Sequence, residues 1–446
     1  MRPLCSTAHH PHTFYTQHPF TSMHALLLEN AAYVIGERIY RDASVYIEDG
    51  RICWVGTGDV PAGTERISAR KCAVLPALTN AHTHLPETVL RGLCDDRVLM
   101  DWLNKYIWPA ENKLTNEFAE WAALLGCAEL IHNGVGFFID QYFYANEIAR
   151  SVLKAGIKAL LCSSVFDGCP EGKTIERQFA IAEKFIREWQ GKSTRLYVGI
   201  GPHAPYTVND EYLARINEIA TSKNLHVHIH LSETQHENAE SRKKVGMSPA
   251  RRLSKLGMLN RRALLAHCVH LSEEDIALIA GAGATVLHCP QSNLKLSSGI
   301  AQIERIRKRV NVLVGTDGNA SNNNLDVLEE LRTACMLQKY LFGAEAMPLQ
   351  DAFSMISSNA AALGCNYTGI IKPGAPADIA VMPLEKPHLQ PVHDILSNLI
   401  YSANGTDVST LIIDGEIIMQ DYRILRFDEG EVLEKCREIA QAIWNQ

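Results

Sequence analysis

Short apolar runs recur between residues 73 and 315, separated by longer stretches whose apolar positions return at helical spacing. Runs at 73–81, 134–140, 157–163, 196–201, 225–231, 263–268, 284–288 and 310–315 have the length and composition of strands. Stretches at 116–131, 175–189, 210–222, 273–280 and 324–341 read as amphipathic helices. Strand and helix in alternation imply a parallel sheet, and eight such units predict a closed barrel. An open, doubly wound sheet is the competing arrangement, but no GxGxxG follows the first run. The two ends have a different texture. Residues 26–74 are short β-type runs with Asp49-Gly50 as a hairpin signal, and β-type runs return after 369 around Asp414-Gly415. A last helix is expected from 429 onward. The pattern therefore predicts an α/β fold. Residues 75–368 form a (β/α)8 TIM-type barrel, and 23–74 with 369–446 form a small β-sandwich domain beside it. Residues 1–22, which include His9, His10, His12 and His18, read as a disordered leader with no metal role.

Composition narrows the function. The chain has 446 residues, is 46% hydrophobic and 21% charged, and so can bury a large core. Its net charge of −7 argues against nucleic acid or an anionic membrane as a partner, since both favour clustered Lys and Arg. No apolar run reaches the length of about 18 residues that spans a bilayer. The first 22 residues lack the charged and apolar regions of a secretory signal. Twelve cysteines without a CxxC pair, several of them inside apolar runs (Cys53, Cys72, Cys162, Cys268), read as reduced thiols of a cytoplasmic protein rather than as a zinc site.

The chemistry gathers at the C-terminal ends of the strand runs, where barrel enzymes build their sites. His82 and His84 stand two apart after the first run, so both imidazoles leave the same face. In Leu225-His226-Val227-His228-Ile229-His230 only His230 reaches the mouth, with His226 and His228 deeper. Glu233 follows in the next loop, placed to touch a water at a metal without binding the metal itself. His267 ends one later run and Asp317 follows another. A buried carboxylate is costly unless it is paired or metal-bound. His82, His84, His230 and Asp317 together suit one divalent ion, zinc first and iron second. The fourth run ends at Gly201-Pro202-His203, which offers no lysine or carboxylate to bridge a second metal.

These residues lie in stretches that resemble the amidohydrolase superfamily, and within it the 5′-methylthioadenosine/S-adenosylhomocysteine deaminases. The matching stretches are PALTNAHTHL, LRGL with DWL and IWPAE, GPHAPYT, HIHLSET, LLAHCVHL, PQSNLKLSSGIA, GTDGNASNNNLDVLEELR and PGAPADIAV, between about residues 26 and 420. The resemblance implies the same four metal ligands. It implies that Glu233 and Asp317 contact the substrate and move protons, and that His267 holds the attacking water or the developing oxyanion. It also implies that Glu111 binds ribose hydroxyls and His203 the nucleoside. Glu87 and His288 depart from the family's usual residues, and Arg177 is the one arginine considered for a homocysteine carboxylate. The function implied is metal-dependent hydrolytic deamination of an adenosine-type nucleoside, 5′-methylthioadenosine or S-adenosylhomocysteine, to its inosine analogue with release of ammonia. A homo-oligomer is expected. Related hydrolases act on guanine, a pterin or a chlorinated s-triazine. The joint presence of Glu233 and Asp317 favours deamination, and Glu111 favours a nucleoside. A catalytically silent scaffold barrel would have lost ligands that are all present here. A cytidine-deaminase-type editor would carry PCxxC, which is absent.

Overall fold

The computed structural model describes residues 25–166 and 174–444, so the leader expected at 1–22 lies outside the described residues. Eight parallel strands run in sequence order around a nearly closed barrel: Leu78–Thr83, Val135–Tyr142, Lys158–Val165, Leu196–Pro202, His226–Leu231, Ala263–His267, Thr285–His288 and Asn311–Val314. Val135–Tyr142 and Lys158–Val165 are buried along their whole length, as strands covered on both faces must be. The seam lies between the eighth strand and the first. There the amide of Asp317 donates to the carbonyl of His82 at 2.9 Å. Gly315 packs so tightly on this carbonyl's neighbour that a Cβ at 315 would stand 2.4 Å from the His82 nitrogen.

Helices sit between the strands as their periodicity predicts. Thr115, Thr174, Asn209, Ser272 and Asp326 each open one by accepting a backbone N–H. The helix expected at 324–341 spans Val327–Phe342, because Asp326 caps it by taking the amides of Leu328 and Glu329. Among the described residues no helix is long and apolar enough to cross a membrane.

The apolar run 73–81 is two strands rather than one. Cys72–Pro76 pairs antiparallel with Ile379–Pro383, and Leu78–Thr83 then starts the barrel. Both halves are buried, so periodicity alone cannot show the break at Ala77. The sheet joined by Cys72–Pro76 has nine strands drawn from both ends of the chain. Two of its hairpins turn at the expected pairs, where Asp49, Gly50, Asp414 and Gly415 all have positive φ. The two turns pack on each other: a Cβ on Gly50 would meet the Asp414 carbonyl oxygen at 2.6 Å.

Lys158 fastens this sheet to the barrel. It is fully buried, and its Nζ lies 2.8 Å from Asp378, 2.6 Å from Asp414 and 2.8 Å from the carbonyl of Asn366. Lys158→Met removes the cation paired with Asp378 and strands a buried carboxylate. The expected loss is about 3–5 kcal/mol, seen as a lower urea midpoint.

The excursion between the first and second barrel strands folds over the mouth as short turns of helix: Leu85–Leu90, Leu99–Trp102, Leu103–Ile107 and Trp108–Glu111. None is long enough to show a period, which is why the pattern did not predict them.

Candidate active site

His82 and His84 leave the first strand on one face, His230 comes from the fifth, and Asp317 follows the eighth. Their donor atoms meet. Asp317 Oδ1 lies 3.2 Å from Nε2 of both His82 and His84, and His230 Nε2 lies 3.3 Å from His84 Nε2. Ligand atoms placed tetrahedrally at about 2.0–2.1 Å from one zinc ion are separated by about 3.3–3.4 Å, and these three contacts have that spacing. His82 Nε2 is buried without a hydrogen-bond partner, as a ligand nitrogen would be.

The opposite ring nitrogens fix the orientation. His84 Nδ1 donates to the carbonyl of Gln141 at 2.6 Å and His230 Nδ1 to that of His203 at 2.7 Å. A carbonyl only accepts, so each Nδ1 carries the proton and each Nε2 presents its lone pair. His82 Nδ1 lies 2.9 Å from His228 Nε2. Asp317 Oδ2 accepts from Ser292 Oγ at 2.5 Å and Ser321 Oγ at 2.9 Å, which aims Oδ1 at the histidines. The backbone is also unusual here. Ser232, His267, Cys268 and Asp317 all have φ between +51° and +69°. Left-handed non-glycine residues cost about 1–3 kcal/mol each and cluster where function demands a particular side-chain direction.

Glu233 stands at the rim of the same centre. Its Oε1 accepts from Ser298 Oγ at 3.1 Å, and its Oε2 lies 3.9 Å from His267 Nε2. The amides of Ser232 and Glu233 donate to the Glu237 carboxylate at 3.0 and 2.8 Å, which holds this turn. Burial pushes the Glu233 carboxyl above the ordinary glutamate range. His267 Nδ1 lies 2.9 Å from Asn293 Oδ1, so its Nε2 faces the site and comes within ligand reach of His82 and His230. His226 binds two carbonyls deeper in the barrel, and His270 binds the carbonyl of Ser298.

His84, Glu111, His203, His230, Glu233, His267 and Asp317 line one cavity at the mouth. Glu111 accepts from the Tyr142 hydroxyl at 2.6 Å; burial pushes its carboxyl up to about 7, against the lowering effect of that bond. His203 Nδ1 lies 3.1 Å from Thr207 Oγ1. Arg177 is exposed on Ile175–Trp189 and does not line the cavity. The sequence reading did not single out Ser292, Asn293, Ser321, Tyr142 or Glu237 as parts of the site. The first three sit in the stretches PQSNLKL and GNASNNN, which could have pointed to them; Tyr142 and Glu237 leave no such signal. Glu87, noted as a departure, also lines the cavity, with one carboxylate oxygen buried and unpartnered.

The model of the amidohydrolase family matches residues 73–418. A 5′-deoxyadenosine deaminase of Methanosarcina mazei is 40% identical over 90% of this chain and 94% of its own length. A 5-methylthioadenosine/S-adenosylhomocysteine deaminase of Pyrococcus abyssi is 41% identical over 90% of this chain and 95% of its own. Among solved structures, an adenosine deaminase from Xanthomonas campestris with bound zinc superposes with a TM-score of 0.90 at 33% identity, covering 94% of this chain and 99% of that one.

Proposed function

This chain belongs to the amidohydrolase family, and on that premise we propose that it removes the exocyclic amino group of an adenosine-type nucleoside, giving the inosine analogue and ammonia. It is a hydrolase of the C–N bond of a cyclic amidine. The observation that carries the reading is the meeting of three imidazole nitrogens and one carboxylate oxygen beside Glu233, in a cavity that also holds Glu111.

The site takes a divalent metal, and zinc is our assignment, from the donor set and from the zinc in the Xanthomonas campestris adenosine deaminase. His82, His84, His230 and Asp317 would hold it. When bound, it supplies a Lewis acid that brings the pKa of a coordinated water toward 7. Glu233 takes a proton from the attacking water and delivers it to ring N1, which opens C6 to attack. His267 Nε2 stabilises the charge that develops on the new C6 oxygen. Asp317 carries the remaining proton from that oxygen to the amine, so that ammonia leaves and a C6 carbonyl remains. Glu111 accepts hydrogen bonds from the ribose hydroxyls, and His203 contacts the ring.

The test is ammonia release, with the ultraviolet shift from adenosine to inosine, across a panel of adenosine analogues and zinc-loaded protein. Activity confined to guanine, a pterin or a triazine would overturn the reading. Glu111→Ala is expected to lower kcat/KM for nucleosides by about 10- to 100-fold, since a hydrogen bond to a charged group is worth about 1.5–3 kcal/mol. Any turnover of free adenine should be unaffected by the same change. Buried free thiols support a cytoplasmic setting. Met336, Tyr340 and Leu341, exposed together on Val327–Phe342, support self-association into a homo-oligomer.

A further inference from the structure

We propose that the cavity selects nucleosides whose 5′ group is uncharged over those that end in a carboxylate. The inference rests on the deaminase reading, with the ring at Glu233 and His267 and the ribose at Glu111. Glu111 ends the turn Trp108–Glu111, so a group extending from the ribose meets the segment that leads into this turn. There Leu99, Trp102, Leu103, Ile107 and Trp108 line the cavity, joined by Phe143 after the second barrel strand. Among the described residues the lining includes no arginine or lysine; its carboxyl groups are Glu87, Glu111, Glu233 and Asp317. Arg97, the basic residue that precedes this wall, lies over the ring of Tyr106 and does not line the cavity.

A carboxylate moved from water against such a wall loses its hydration and gains no cation from the described lining in return. A 5′-hydrogen loses nothing, and a thioether gains contact with aromatic rings, which polarisable sulfur favours. Selection on the 5′ group is therefore a matter of desolvation by this wall.

The experiment compares kcat/KM for 5′-deoxyadenosine, 5′-methylthioadenosine, S-adenosylhomocysteine and 5′-butylthioadenosine, a neutral thioether of similar reach, on the full-length, zinc-loaded chain. The first two are expected to be alike, S-adenosylhomocysteine lower by about 100-fold or more, and 5′-butylthioadenosine to recover at least tenfold of that loss. S-adenosylhomocysteine within about tenfold of 5′-methylthioadenosine would overturn the inference and leave the deaminase reading standing. 5′-Butylthioadenosine as poor as S-adenosylhomocysteine would also overturn it, because length rather than charge would then decide. Failure of every adenosine analogue would remove the deaminase reading and this inference together.

Discussion

Glu233→Gln is expected to lower kcat by about 10²- to 10⁴-fold, the range that general acid–base catalysis supplies. The substitution keeps the size of the side chain and an oxygen for the Ser298 hydroxyl, which Glu233 now accepts at 3.1 Å. It removes only the ability to take up a proton and give it away. Glu233 is not among the donors that converge on Asp317 Oδ1, so metal content should stay at one ion per chain. KM should move little for the same reason, since the amide still fills the place of the carboxyl. Steady-state kinetics with elemental analysis of the same sample tests both halves of the claim. Near-normal turnover in a metal-replete sample would mean that another group carries the proton to the ring.

His82→Ala is expected to abolish metal binding at micromolar ion, and turnover with it. His82 is the most enclosed of the four donors, fully buried with its Nε2 unpartnered. Its loss cannot be made good by solvent, which does not reach the position. A graded comparison sharpens the test. His228 meets the centre through His82 Nδ1, at 2.9 Å. His228→Ala should therefore weaken binding by about 10- to 100-fold, as loss of a group that orients a ligand does, and excess metal should restore activity. Full metal content in the His82 variant, by elemental analysis after dialysis, would refute its place in the set.

Much of this was legible in the chain because strand geometry is strict. Two histidines two apart must share a face, and alternation through His226, His228 and His230 leaves only the last at the mouth. Asp317 was readable as a carboxylate at the end of an apolar run. The turns at Asp49-Gly50 and Asp414-Gly415 were readable because few residue pairs tolerate two positive φ values in succession. The rest was hidden for physical reasons. The run 73–81 changes sheets at Ala77 without changing its hydrophobicity, because both halves are buried. The wall from Leu99 to Trp108 is built of turns too short for any period to emerge. Ser292 and Ser321 act on Asp317 from positions 25 residues before and 4 residues after it, a pairing made only by the folded chain.

The seam of the barrel gives the metal a second consequence. Its donors come from the first, fifth and eighth strands, and the first and eighth are joined at this height by the bond from Asp317 to His82. An ion held by His82, His84, His230 and Asp317 would act as a rivet across that seam. A ligand that binds only the folded form raises its stability by mass action. Starved of that ion, the protein would be not merely idle but loosened along one line, and more readily handed to proteases.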